Sequence, residues 1–270
     1  MDSVARLSLN QITTERASLV ETVDACARHG VPAIALWRHK VAETGVDRAA
    51  RMVRDAGLRV SSLCRGGMFP APTPAERAAR IDDNRRAVDD AAVLGAEVLI
   101  LVCGPAPDRD IDAARRMVAD GIAALVPYAA ERRVRLGIEP LHPAFAAERS
   151  CITTLHEARA LATKFDPATV GIIADVYHIW WDPALYREIA RAAGRFVGFH
   201  VSDWLVPSRD VLMSRGMMGD GVIELQRIRT AVQDAGYAGP IEVEIFNDVV
   251  WSTPLDTLLP LVKERYLACV

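Results

Sequence analysis

Short apolar runs rich in β-branched residues alternate along this chain with longer Ala-, Arg- and Asp-rich segments whose apolar positions recur at helical spacing. The runs predict strands over residues 4–9, 33–37, 59–63, 97–102, 134–139, 170–175, 196–201 and 241–245. The segments between them predict helices over 18–29, 47–56, 74–94, 110–131, 154–164, 183–193 and 224–235, with a last one over 254–267. Gly30, Gly57, Gly95, Gly194 and Gly236 each close a helical segment ahead of a strand, as a left-handed C-cap does.

Strands separated by whole helices need crossover connections, hence a parallel sheet. Eight such units predict an α/β fold, a closed (β/α)₈ TIM barrel, as a single domain over residues 1–270 with no Pro/Gly linker to divide it. A doubly wound open sheet would place a glycine-rich phosphate turn after its first strand, where this chain reads Asn10-Gln11-Ile12-Thr13-Thr14.

Composition narrows the function classes. The chain has 270 residues, 51% hydrophobic, with 32 basic against 35 acidic side chains and a net charge of −3. A chain this long can bury roughly three quarters of its unfolded surface. Near-neutral charge argues against a nucleic-acid partner. The longest apolar stretches, such as 122–130, fall well short of the ~20 residues that span a bilayer, and the opening lacks an apolar run fit for a signal peptide. Five scattered cysteines, odd in number and without CxxC spacing, read as free thiols in a reducing compartment. The expectation is a cytoplasmic enzyme with no membrane partner.

Barrel enzymes carry their chemistry at the C-terminal strand ends, so those ends are the informative places. The fifth strand ends in RLGIEPLHP, with Glu139 at its tip and His142 just beyond; the sixth ends in GIIADVYH, with Asp175 and then His178. The seventh ends in FVGFHVSDW, with His200, and the eighth reads PIEVEIFND, with Glu244. Glu139, Asp175, His200 and Glu244 thus offer three carboxylates and one imidazole from adjacent strands, a fairly hard donor set suited to one divalent ion: Mn²⁺ first, then Mg²⁺, Co²⁺ or Zn²⁺. Without a cation these carboxylates would repel strongly. Glu242 falls one layer deeper on the same face, where an ion pair with Arg6 or Arg135 is expected.

The segments IEPLHP, DVYH, GFHVSDW, GDGVIELQRI and GYAGPIEVEIF resemble the sugar isomerase/epimerase superfamily with the xylose-isomerase-like barrel, which includes ketose 3-epimerases, inosose isomerases and dehydratases and, more remotely, endonuclease IV. The resemblance covers nearly the whole chain. It implies that Glu139, Asp175, His200 and Glu244 bind one metal and that His178 contacts substrate oxygens. Family epimerases carry an arginine about six residues beyond the histidine of strand seven; Val206 stands there, leaving Arg209 or Arg215 to substitute. The extra histidines of the endonuclease are missing from the second and third strand ends, since His39 is displaced beyond its strand.

The expected reaction is proton transfer α to a carbonyl through a metal-stabilised enediolate, with Glu139 and Glu244 as the proton-moving pair on a sugar or keto-sugar substrate. Elimination from the same enediolate is the alternative, as in inosose dehydration or C-glycoside cleavage, with His142 as acid or base. His142 also fits a plain surface histidine in a His-Pro turn. Trp180, Trp181, Trp204 and Trp251 cluster near strand ends six to eight, Trp181 being the expected substrate contact; packing beneath long loops or a subunit contact would use them equally. Residues 202–222 lack periodicity and carry Arg215 in a glycine- and methionine-rich stretch, expected to form a lid or a contact in a homo-oligomer.

Overall fold

In the computed structural model, which describes residues 3–270, eight parallel strands close a barrel. The barrel strands are β1 (Leu7–Asn10), β2 (Ala33–Trp37), β3 (Arg59–Gly67), β4 (Val98–Val102), β5 (Arg135–Glu139), β6 (Val170–Asp175), β7 (Phe196–Val201) and β10 (Ile241–Val243). Between β7 and β10 lies a two-stranded antiparallel ribbon of β8 (Asp203–Trp204) and β9 (Arg215–Gly216). The barrel runs β1-β10-β7-β6-β5-β4-β3-β2, each strand beside its neighbour in the chain apart from the ribbon.

The helices form where the sequence caps them. Ser18 and Glu21 exchange side-chain and backbone hydrogen bonds at the start of Leu19–His29; Thr73 with Glu76 and Thr154 with Glu157 do the same for Pro74–Leu94 and Leu155–Ala162. Gly30 and Gly95 close two of these helices in the left-handed region, with φ 64° and 66°.

Three predicted boundaries shift for identifiable reasons. Val4–Arg6 is a 3₁₀ turn capped by Ser3, so the first strand begins at Leu7. The last barrel strand stops at Val243 rather than 245, because the Thr13 hydroxyl takes over: it donates to Val243 O and accepts from Ile245 N–H. Strand β3 runs on to Gly67 because buried Asn84 accepts from Gly67 N–H at 2.6 Å and donates to Gly67 O at 2.8 Å, holding it beside Val102. Short helices that apolar periodicity does not announce, Arg38–Thr44, Val176–Ile179 and Asp248–Trp251, follow strand ends at the catalytic face.

One apolar layer lies between strands and helices; a second, with Cys64, Val98, Ile100, Ile173 and Val197, fills the barrel itself. All five cysteines are free. Gly137 and Gly198 make room for Ile173 in the barrel interior. A Cβ at 137 would lie 2.5 Å from Ile173 Cδ1 and 2.9 Å from Val98 Cγ1, crowding two side chains; at 198 it would meet closely only the Ile173 terminal methyl, at 2.6 Å. Gly137→Ala is therefore expected to destabilise by about 1–3 kcal/mol. At 198 the loss is offset by the ~0.4–1 kcal/mol gained from a less flexible unfolded chain. Urea unfolding should separate the two; equal midpoints would refute this account of the interior.

Candidate metal centre and active site

Barrel register puts the chemistry in one plane. Asp175 of β6 pairs with His200 of β7, and His200 pairs with Glu242 of β10, so three polar residues stand side by side at one level. Glu139 ends β5, and Glu244 sits one inward step above Glu242. One donor atom each from Glu139, Asp175, His200 and Glu244 lies within 4.8 Å of the others, and all four residues are buried. His200 Nδ1 is 3.3 Å from Glu244 Oε2 and 3.5 Å from Glu139 Oε1.

Two like charges about 4 Å apart repel by ~4 kcal/mol at an effective dielectric near 20. The carboxylates therefore shape each other's protonation. Burial and the neighbouring Glu244 charge raise the Glu139 pKa. Burial also works to raise that of Glu244, but the Arg215 guanidinium and His200 pull it below the ordinary carboxylate range. His200 rises to about 10: burial opposes its charge, and Glu242, Glu244 and Glu139 outweigh burial.

The structure brings Arg215 into this cluster. Its Nη1 donates to Asp175 Oδ2 at 2.8 Å and to Glu244 Oε2 at 3.2 Å, and its guanidinium carbon lies 4.5 Å from the Tyr177 ring centroid. The ribbon delivers it. Buried Asp203 accepts from the N–H groups of Trp204, Gly219 and Ile223, and Asn247 Nδ2 donates to Arg215 O at 2.9 Å. Gly221 is packed so closely that a Cβ there would lie 2.3 Å from Trp204 O. Met217 and Met218 join the core, so this stretch, expected as a lid, is an anchored arm. Arg209, the other substitute considered, pairs with Asp248 on the surface.

One guanidinium against three carboxylates leaves buried negative charge uncompensated, which is costly unless a cation or a proton joins. The oxygen-rich donors and the imidazole nitrogen fit a divalent ion in the middle of the four. Glu242 completes the fit from behind: its Oε2 is 3.2 Å from His200 Nε2, the ring nitrogen facing away from the cluster, and accepts from Asn10 Nδ2 at 3.3 Å. A carboxylate behind a ligating imidazole orients the ring and strengthens it as a donor. The expected pairing of Glu242 with Arg6 or Arg135 is not formed. Arg6 Nε donates to Gly239 O and Arg135 Nη2 to Pro167 O, so both guanidiniums turn to backbone carbonyls instead.

Above the four donors opens a cavity of about 310 Å³, at the lower end of the range for small-molecule sites. Glu139, Glu244, His178 and Arg215 reach its wall. Burial lowers the His178 pKa to about 3, so the ring is neutral. Its Nδ1 faces the His142 N–H at 3.2 Å and its Nε2 faces Arg215 Nη2 at 3.0 Å. A neutral imidazole accepts at one nitrogen only, so one of these donors stays unsatisfied.

His142 and Trp181 do not line this cavity. His142 Nδ1 accepts from Ala144 N–H as the cap of a 3₁₀ turn, and its ring packs against Trp181 and Trp204. Trp181 Nε1 donates to His178 O at 2.8 Å, so the indole braces His178 from the side away from the cavity. Sequence reasoning missed Trp37, which lines the cavity and donates from Nε1 to Asn10 Oδ1 at 2.8 Å, linking the wall to Glu242. The polar residues right after β1 were the available signal.

The sequence profile of the xylose isomerase-like TIM barrel matches residues 23–263, and the chain belongs to that family. Protein SMc04130 from Sinorhizobium meliloti 1021 has the same architecture, with TM-score 0.96 and 50% identity over 99% of both chains. A 3-dehydroshikimate dehydratase of Pseudomonas aeruginosa is 26% identical over 93% of this chain, which spans only 39% of that relative's length. An L-ribulose-5-phosphate 3-epimerase of Escherichia coli is 22% identical over 72% of this chain and 67% of its own.

Glu242→Gln keeps the shape but removes the charge behind His200. Mn²⁺ affinity is expected to fall by about 10–100-fold, read by calorimetry on protein whose circular dichroism is unchanged. Unaltered affinity would show that Glu242 does not act through His200.

Proposed function

We propose that this chain is a divalent-metal-dependent isomerase or epimerase of keto sugars, working by proton transfer next to a carbonyl. The observation that carries this reading is the approach of two buried glutamates, Glu139 at the end of β5 and Glu244 just beyond β10, to one cavity also walled by His178 and Arg215. Glu139, Asp175, His200 and Glu244 would hold the ion, Mn²⁺ suiting the donors best with Mg²⁺, Co²⁺ or Zn²⁺ as alternatives. When bound, it supplies Lewis-acid charge beside the substrate carbonyl.

The side chains do the rest. A carboxylate oxygen of one glutamate accepts the proton from carbon, and the other glutamate returns one to the opposite face, or the proton goes back at the neighbouring carbon. The first outcome is epimerisation and the second aldose–ketose exchange. His142 N–H and Arg215 Nη2 contend for the one acceptor nitrogen of His178; when Nδ1 accepts from His142, the Nε2–H and Arg215 Nη2 are both donors that a substrate oxygen can satisfy. That pairing is realised only with substrate in place. Glu244 also accepts from Arg215, which keeps it ionised for proton transfer.

The dehydratase relative favours a second outcome of the same proton removal, in which a hydroxyl β to the carbonyl leaves as water. That route needs an acid at the leaving oxygen, and His142 stands behind the wall with Nδ1 committed to a backbone N–H. We therefore place isomerisation or epimerisation first.

Mn²⁺-loaded protein incubated in D₂O with ketoses, inososes and 3-keto glycosides should place deuterium at carbon in product or recovered substrate. Turnover of a substrate with no carbon-bound exchange would refute the proposal. Glu244→Gln is expected to slow the reaction by about 10²–10⁴-fold, with His142→Ala costing less than about tenfold. Equal losses, with metal retained, would favour elimination.

A further inference from the structure

Two sets of charged side chains line the cavity. At the four donors, three carboxylates are met by Arg215 and, on the reading above, by a divalent ion, which brings that set to neutrality. Arg65 and Arg149 also line the cavity, together with the apolar groups of Trp37, Met68 and Phe145. Among the described residues neither guanidinium has a carboxylate partner within ion-pair distance; the Arg149 guanidinium lies 5.5 Å from the centroid of the Phe145 ring. Other arginines of the molecule do find acids: Arg38 holds Asp83, Arg209 holds Asp248, and Arg159 and Arg191 share Glu188. Glu148 also lines the cavity and offsets part of the Arg149 charge without forming an ion pair; Glu148 and Arg65 are exposed and Arg149 is half-buried.

Both arginines stand on fixed backbone. Arg65 belongs to the part of β3 that Asn84 clamps against β4. Arg149 is held where Gly104 N–H donates to Arg149 O at 3.0 Å and Cys151 N–H donates to Gly104 O at 2.9 Å. Their charges act on each other: burial, then the charges of Arg65 and Arg215, lower the Arg149 pKa. A half-buried cation held near two others, with apolar walls, is relieved by an anion and by little else. Arg65 borders a second cavity as well, with His39 and Arg80, where Asp83 is already engaged by Arg38. The region therefore stays positive on both sides of Arg65.

We propose that Arg65 and Arg149 form an anion subsite in the wall of the active-site cavity, taking a carboxylate or phosphate group carried by the substrate. The inference rests on the cavity being the active site. It narrows the substrate class from keto sugars in general to those that carry an anionic group besides the reacting carbonyl. Arginine suits either oxyanion because its fork can donate two parallel hydrogen bonds.

Calorimetry of Mn²⁺-loaded protein with D-fructose, D-fructose 6-phosphate and 5-keto-D-gluconate tests this directly. At least one anionic probe should bind about tenfold tighter than fructose near 50 mM salt, and the advantage should shrink several-fold near 500 mM. The probe with the larger advantage distinguishes phosphate from carboxylate. The double variant Arg65→Gln/Arg149→Gln should erase the advantage while holding fructose affinity within about twofold, and Arg65→Lys/Arg149→Lys should keep part of it. Arg54→Gln, which removes the same charge from a helix end leading into the start of β3, should change nothing. Circular dichroism melting confirms that each variant is folded. No advantage for either anion, or an advantage that survives the double Gln variant, overturns the proposal. Deuterium exchange on the same probes keeps the two readings apart: an anion advantage without exchange upholds the subsite and refutes the isomerase, and exchange without the advantage does the reverse.

Discussion

Like charges packed into a dry space are the constraint around which this molecule is arranged. Three carboxylates and an imidazole converge within 4.8 Å at the catalytic end of the barrel, and His200, its pKa raised to about 10, offsets only part of that charge from within the strands. The balance comes from a guanidinium brought in from outside the barrel. Holding that one cation in place explains much of the surrounding structure: the Asp203 clasp, the close packing at Gly221, the Asn247 amide on Arg215 O and the aromatic faces of Tyr177 and Phe246. Behind the cluster, a chain of contacts from Trp37 through Asn10 to Glu242 fixes the ring of His200.

This division of labour has a chemical meaning. The groups proposed to move protons or hold a cation sit at or just beyond strand ends, where the barrel ladder defines them best. The arginines assigned to the rest of the substrate in the proposals above sit on the connections: Arg149 after β5, Arg215 after β7 and Arg65 on the overrun of β3. Chemistry is thereby held constant while recognition varies, which suits a family whose members include both an epimerase and a dehydratase.

The strands and the four donors were legible because both obey short-range rules. Apolar runs of strand length fix where a β-strand ends, and a polar residue at that end can only face the barrel mouth. The strands over 33–37, 170–175 and 196–201 are found unchanged. What could not be read depends on partners far along the chain. The extension of β3 follows from Asn84, and the early stop of the last strand follows from Thr13. Glu242 is deep, as its place two residues before Glu244 implies, but its partner is not the expected one because Arg6 and Arg135 donate to carbonyls that no spacing reveals. His142 lies near the site in sequence and behind it in space, since capping a 3₁₀ turn and packing against two indoles turn the ring away.

The placement of Arg215 on a ribbon rather than on a strand makes the balancing charge a detachable part. The segment from Asp203 to Gly216 is closed on itself by β8 pairing with β9 and by the Asp203 clasp. Exchanging its exposed turn would leave the eight-stranded frame untouched while repositioning the guanidinium relative to the four donors. Descent with variation in this family can thus proceed by editing one connection, with the barrel inherited whole.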